Sequence, residues 1–280
     1  MQNRIITEWE KLTSQEFKKL RDESGVCILP IGCLERHCDT MPLGTDMIIA
    51  RGMIAEATQI EPCVVFPTYY FSQVSESTAF TGAFALDNEL LLKTLDATLD
   101  EIGRNGFKKI LIANFHGGND GFLRYYVLST CAKKRDYTLY LLPSYSYNFD
   151  EEEQTIVDQA ILSPENDKKH GGHADEWEGS LVKAIEPGLV KDEYNTSNEP
   201  VAPLGRMRHL GSRLFSGHWW YADYPFNVTD RPYLADEERG RTLLEVCAKK
   251  IAKEIRIVKD DTVAPALQAE FLQKRENPEF

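Results

Sequence analysis

At 280 residues, with 42% hydrophobic and 10% aromatic content, the chain can bury a sizeable core and fits one α/β domain spanning 1–280. Its formal charge of -12, from 44 acidic and 32 basic residues, argues against a surface for phosphate backbones, so nucleic acid is not an expected partner. The opening run Met1–Glu8 turns acidic before any long apolar stretch; neither a signal peptide nor a spanning helix is expected, and the reading is cytoplasmic with no membrane partner.

In chain order, Val26–Ile31 is a nearly continuous apolar run closed by Gly32, the pattern of a strand buried on both faces. From Asp46 the spacing Ile49, Met53, Ala57 and Ile60 predicts a helix, and Cys63–Phe66 restarts an extended segment. Leu90, Leu91, Leu95, Leu99 and Ile102 mark an amphipathic helix from Asp87 that stops near Asn105-Gly106. Lys109–Asn114 predicts the next strand, Phe122–Ala132 a helix, and Thr138–Leu142 another strand. This alternation predicts an α/β fold with a central, mostly parallel sheet flanked by helices, whose ligands sit beyond the carboxyl ends of the strands.

Residues 144–172 carry an acidic run at Asp150–Glu153 and read as an excursion over the sheet. Residues 187–235, rich in Gly, Pro, Trp and Tyr, read as a structured cover or a subunit contact, with Trp219-Trp220-Tyr221 as the aromatic cluster to watch. Asp236–Ile257 is helical again, and the tail after Asp260 is peripheral. The six cysteines form no CxxC pair and read as buried thiols of a reducing compartment; Cys38 stands apart because it adjoins His37.

Four of the six histidines fall in three short segments that also hold carboxylates: Glu35-Arg36-His37 running on to Asp46, His116-Gly117-Gly118-Asn119, and His170-Gly171-Gly172-His173 running on to Glu178. Mixed imidazole and carboxylate suits zinc or manganese, which accept nitrogen and oxygen alike. An isolated histidine at a strand end is more often structural. Glu35 and His37, however, stand two apart on an extended segment and project to one side. Asp46 stands at a helix start, where its plain role is a cap, and Glu178 lies in an acidic helix entry. The glycines after His116 lack dinucleotide or P-loop spacing; they remove side chains so that substrate and ions approach the backbone.

The run Leu29–His37, followed by Met41–Asp46, together with Asn114–Asn119 and His173–Ser180, resembles the signature of the creatininase (creatinine amidohydrolase) family. Phe80–Ala83 and Ala235–Gly240 add weaker matches in the same order. The resemblance implies a compact α/β fold and homo-oligomers of up to six subunits, a hexamer or a dimer. It also implies a binuclear centre of Zn2+, or of Mn2+ or Fe2+, with Glu35, His37, Asp46, His116 and Glu178 as ligands, Asp46 as the bridge and His173 as the proton-transferring histidine. A hydroxide made at the metal would then attack a carbonyl while His173 protonates the leaving group.

Departures bear on the substrate. Creatinine amidohydrolase itself carries Glu two residues after the motif histidine, where this chain has Gly118; Arg36, Cys38 and Thr40 replace the family's common Gln, Gly and second His. A changed pocket wall, with aromatic faces at Tyr69–Gln73 and Trp219–Tyr221, suits a neutral or anionic polyhydroxylated ring better than creatinine. The leading expectation is hydrolysis of a C–N bond, of cyclic amide or formamide type, in a small polar substrate. The alternatives are C–C hydrolysis in a polyol-derived cyclic diketone, as in inosose-type hydrolases of inositol catabolism, and a non-catalytic ligand-binding protein on the same scaffold.

Overall fold

A computed structural model of the chain describes residues 4–144, 148–162, 172–194, 203–276 and 278. His170 and Gly171, and parts of the 144–172 excursion and the 187–235 cover, lie outside the described residues. The described helices and strands are, in order, α1 (Ser14–Ser24), β1 (Val26–Ile31), α2 (Thr45–Ile60), β2 (Val64–Val65), α3 (Asn88–Arg104), β3 (Lys109–Asn114), α4 (Asn119–Ser129), β4 (Thr138–Leu142), α5 (Glu151–Ala160), α6 (Glu176–Ile185), α7 (Trp219–Asp223), α8 (Glu237–Asp260) and α9 (Val263–Glu276).

The sheet runs β2-β1-β3-β4, and every pairing is parallel. Alternating strand residues feed two cores, as a sheet covered on both faces requires. Val26 and Ile28 of β1 join Leu111 and Ala113 of β3 against α2, α6 and α8. Cys27, Leu29 and Ile31 join Ile110 and Ile112 against Leu95, Leu99 and Ile102 of α3 and Leu123 of α4. Each fully buried leucine or isoleucine of this kind contributes about 1.5–3 kcal/mol relative to exposure.

The strands and long helices fall where the apolar pattern places them, β2 being shorter than the extended run that contains it. Helices α1, α5, α7 and α9 were not anticipated. Both α1 and α5 open with a capping box, Thr13 with Glu16 and Asp150 with Glu153, so the acidic run of the excursion is a helix start. The tail is helical as α9, with no buried residue, and packs on β4. Among the described residues, no helix is long and apolar enough to cross a membrane.

Candidate metal centre

The connections after β1 and β3 converge with the amino end of α6. Gly32 makes the first approach: a Cβ there would lie 2.7 Å from Met47 N and 2.8 Å from the Asp46 carbonyl carbon, so only glycine lets the start of α2 sit against the end of β1. Asp46 is thereby held in the first turn of α2 with 2% exposure. Past β3, Asn114 and Asn119 brace the loop carrying His116. Asn114 Nδ2 donates to His116 O at 2.9 Å, and Asn119 Oδ1 accepts from Gln73 N at 2.9 Å. Glu178 enters from α6, whose N-cap Asp175 accepts from Glu178 N at 3.0 Å.

The structure brings Glu35, His37, Asp46, His116, His173 and Glu178 together, all of them buried. Asp46 divides its oxygens: Oδ1 is 3.1 Å from His37 Nε2, while Oδ2 is 3.0 Å from His116 Nδ1. Glu178 Oε2 is 3.6 Å from His37 Nε2, and Glu35 Oε1 is 3.1 Å from His116 Nδ1. Donor atoms of Cys33, Glu35, Asp46 and His116 all lie within 4.8 Å of one another, as do those of His37, Asp46 and Glu178. The two groups share Asp46.

Each imidazole is oriented by a carbonyl behind it. His37 Nδ1 donates to Glu35 O at 3.2 Å and His116 Nε2 donates to Gln73 O at 2.9 Å, which leaves His37 Nε2 and His116 Nδ1 as the nitrogens turned toward the carboxylates. Burial opposes charge on His37, but Glu178 and Asp46 overcome it and raise its pKa to about 10. His116 is raised in the same way, against burial, by Glu35 and Asp46. Asp46 is correspondingly lowered despite its burial, chiefly by the charge on His37. The positive charge these carboxylates draw onto two buried rings is what a divalent ion supplies when neutral imidazole binds it, so the donor set fits a metal.

His173 differs. Burial pushes it down to about 4, so its ring is neutral. Nε2 donates to Arg36 O at 2.9 Å, and Nδ1 faces Glu35 Oε1 at 3.5 Å. The carboxylates next to His173 in sequence are engaged elsewhere: Asp175 Oδ2 accepts from Gly172 N at 2.8 Å, and Glu176 accepts from Leu162 N at 3.0 Å and pairs with Arg239. Asn227, fully buried, acts instead on the carbonyl that holds this ring: its Nδ2 donates to Arg36 O, the acceptor of His173 Nε2, while its Oδ1 accepts from Trp220 Nε1.

Sequence reasoning missed Cys33, Ser77 and Asn227. Cys33 Sγ, not Cys38, lies at the cluster, 3.2 Å from Asp46 Oδ2, and Ser77 Oγ donates to Glu35 Oε2 at 2.7 Å. Cys38 instead carries φ 47°, a left-handed backbone that favours glycine, and its Sγ meets Thr40 Oγ1 at 2.8 Å. Ala174 and Asn227, at φ 52° and 55°, put further strained backbone beside His173.

A cavity of about 470 Å³ opens onto Glu35, Asp46, His116 and His173. Trp219, Trp220 and Tyr224 form one wall and Glu76 and Ser77 another. The aromatic cover thus faces the site, although Tyr221 instead packs at a tilt against Phe80. The changed wall does not materialise: Arg36, Cys38, Thr40 and Tyr69–Gln73 are not among the lining residues, and Arg36 pairs with Asp39 and donates to Phe226 O. A wider groove of about 1100 Å³ lies at the amino ends of β3 and β4, but its Lys108, Lys133 and Arg135 are tied to Asp136, Asp96 and Asp100.

Residues 10–255 match the family model described as creatinine amidohydrolase. The chain is 25% identical over 275 residues to a creatinine amidohydrolase of Pseudomonas putida, covering 88% of this chain and 95% of that one. Among solved structures it is similar to a manganese form of creatininase, with TM-score 0.72 and 20% identity over 92% of this chain and 100% of the other. A Zn–Zn form of a creatininase variant gives TM-score 0.72 and 21% identity over the same shares, 92% and 100%.

Proposed function

The chain belongs to the creatininase (creatinine amidohydrolase) family, and from that premise we propose that it is a divalent-metal-dependent hydrolase. It opens a C–N bond, of cyclic amide or formamide type, in a small polar substrate other than creatinine. The observation that carries this reading is the division of Asp46, whose Oδ1 faces His37 and Oδ2 faces His116, one oxygen to each donor group. Glu35, Asp46 and His116 would hold one ion and His37, Asp46 and Glu178 the other; Zn2+ and Mn2+ suit such a set, and Fe2+ is admissible. Ions bound there would acidify water and polarise a carbonyl.

The chain's own residues do the rest. His173, with Nε2 held by the Arg36 carbonyl, would move the proton at Nδ1 between the attacking water and the leaving nitrogen. Trp219, Trp220 and Tyr224 would exclude bulk water and flank the scissile group. Gly118, where creatinine amidohydrolase carries a glutamate, stands against creatinine as substrate. Metal analysis followed by a screen of lactams, formamides and cyclic diketones, with and without chelator, tests the proposal. Chelator-sensitive release of amine or formate is expected. Turnover of creatinine at a kcat/KM of about 10⁴ M⁻¹s⁻¹ or more would refute the substrate reading, and diketone cleavage alone would replace it with C–C hydrolysis.

A further inference from the structure

Glu76 sits in the short turn Ser75–Ser77, against which α7 packs, and its side chain lines the cavity beside His116. The turn is tied to the cavity floor through the Ser77 Oγ bond to Glu35 Oε2 at 2.7 Å. The floor carboxylates all have partners: Glu35 has His116 and Ser77, Asp46 has both His37 and His116, and Glu178 accepts from Ala174 N at 2.7 Å. Glu76 Oε2 is buried and has no hydrogen-bond partner. An acceptor left bare inside a fold is costly unless something entering the site supplies a donor.

Gly118 makes room for it. Its backbone, φ -60° and ψ -22°, is one any residue adopts, so glycine is needed for space rather than conformation. A Cβ at Gly118 would lie 2.4 Å from Glu76 Oε1, which means the carboxylate fills the volume the missing side chain leaves. The described residues lining the cavity include Glu76 and Asp230 but no lysine or arginine, so a carboxylate or phosphate ester would find no countercharge from the walls.

We propose that Glu76 is the substrate-reading carboxylate of this site. It accepts N–H or O–H donors that a bound molecule turns toward Gly117-Gly118, selecting neutral or cationic substrates over anionic ones. This inference rests on the metal-hydrolase reading and narrows the expected substrate by removing its anionic half. A site built to hydrogen-bond a donor discriminates strongly against molecules that lack it.

Two hydroxamates separate the inference from the reading beneath it. Acetohydroxamate and guanidinoacetohydroxamate share one metal-binding head, and only the second carries a planar cationic donor. Titration calorimetry on the zinc-loaded full chain should give the guanidino probe roughly 10-fold or greater preference, the worth of a charge-assisted hydrogen bond. In Glu76→Gln that preference should fall to within about 2-fold with acetohydroxamate affinity unchanged, whereas Glu76→Asp should keep part of it. A preference equal in wild type and Glu76→Gln overturns the role of Glu76 and leaves the metal reading standing. Failure of acetohydroxamate to bind the wild type overturns the metal reading, and this role with it.

Discussion

Exchange of Asp46 for Asn probes the centre most directly, because the amide keeps the shape and removes the charge that both donor groups share. Asp46 is 2% exposed, with Oδ1 3.1 Å from His37 Nε2 and Oδ2 3.0 Å from His116 Nδ1. Removing one member of a buried ion pair costs about 3–5 kcal/mol. Here the loss is smaller, since Glu178 remains 3.6 Å from His37, Glu35 remains 3.1 Å from His116, and either ring can shed its proton. Roughly 2–3 kcal/mol is therefore expected for metal-free protein, which at about 2–4 °C per kcal/mol lowers Tm by roughly 4–12 °C. Metal affinity should fall by more than the ~10–100-fold that loss of an outer-shell partner brings, leaving fewer than two ions per chain. Metal analysis by plasma mass spectrometry and melting with and without chelator read both effects. Asp39, exposed and paired with a partly buried Arg36, gives the control, Asp39→Asn, with a change within about 0.5 kcal/mol. If Asp46→Asn binds two ions as tightly as wild type and melts within roughly 1 °C of it, the shared-carboxylate argument is wrong.

Replacing His173 with Ala should leave metal content nearly unchanged and lower turnover of any substrate found by roughly 10²–10⁴-fold; loss of metal would reassign His173 as a ligand, and retained turnover would move proton transfer elsewhere. Gly32→Ala places a Cβ 2.7 Å from Met47 N, a backbone atom that cannot turn aside. It should cost about 1–3 kcal/mol and reduce bound metal together, because the shift moves Asp46; a stable variant with full metal content would show that the close approach of α2 to β1 does not position the site.

What was legible in the sequence is what short-range pattern encodes. The strands β1, β3 and β4 are buried on both faces and read as apolar runs, and the ligand candidates stand immediately after strands or at helix starts, where a parallel sheet gathers them. The helices α1 and α5 escaped because neither has a long apolar stripe, yet their capping boxes are local signals that periodicity alone overlooks. The residues that shape the cavity are a different case. Asn227 reaches His173 across 54 positions and Ser77 reaches Glu35 across 42, contacts that no spacing rule connects. Arg36, Cys38 and Thr40 were read as pocket wall because they flank ligands in sequence, but Arg36 alternates away from Glu35 and His37, and the chain then turns at Cys38, whose φ is 47°. Cys38 and Thr40 therefore meet each other behind the site, and Arg36 offers His173 its carbonyl while its guanidinium pairs with Asp39. Proximity in sequence to a candidate ligand thus identifies the backbone that holds the cluster, whereas part of the cavity lining comes from the distant 75–77 turn and from α7.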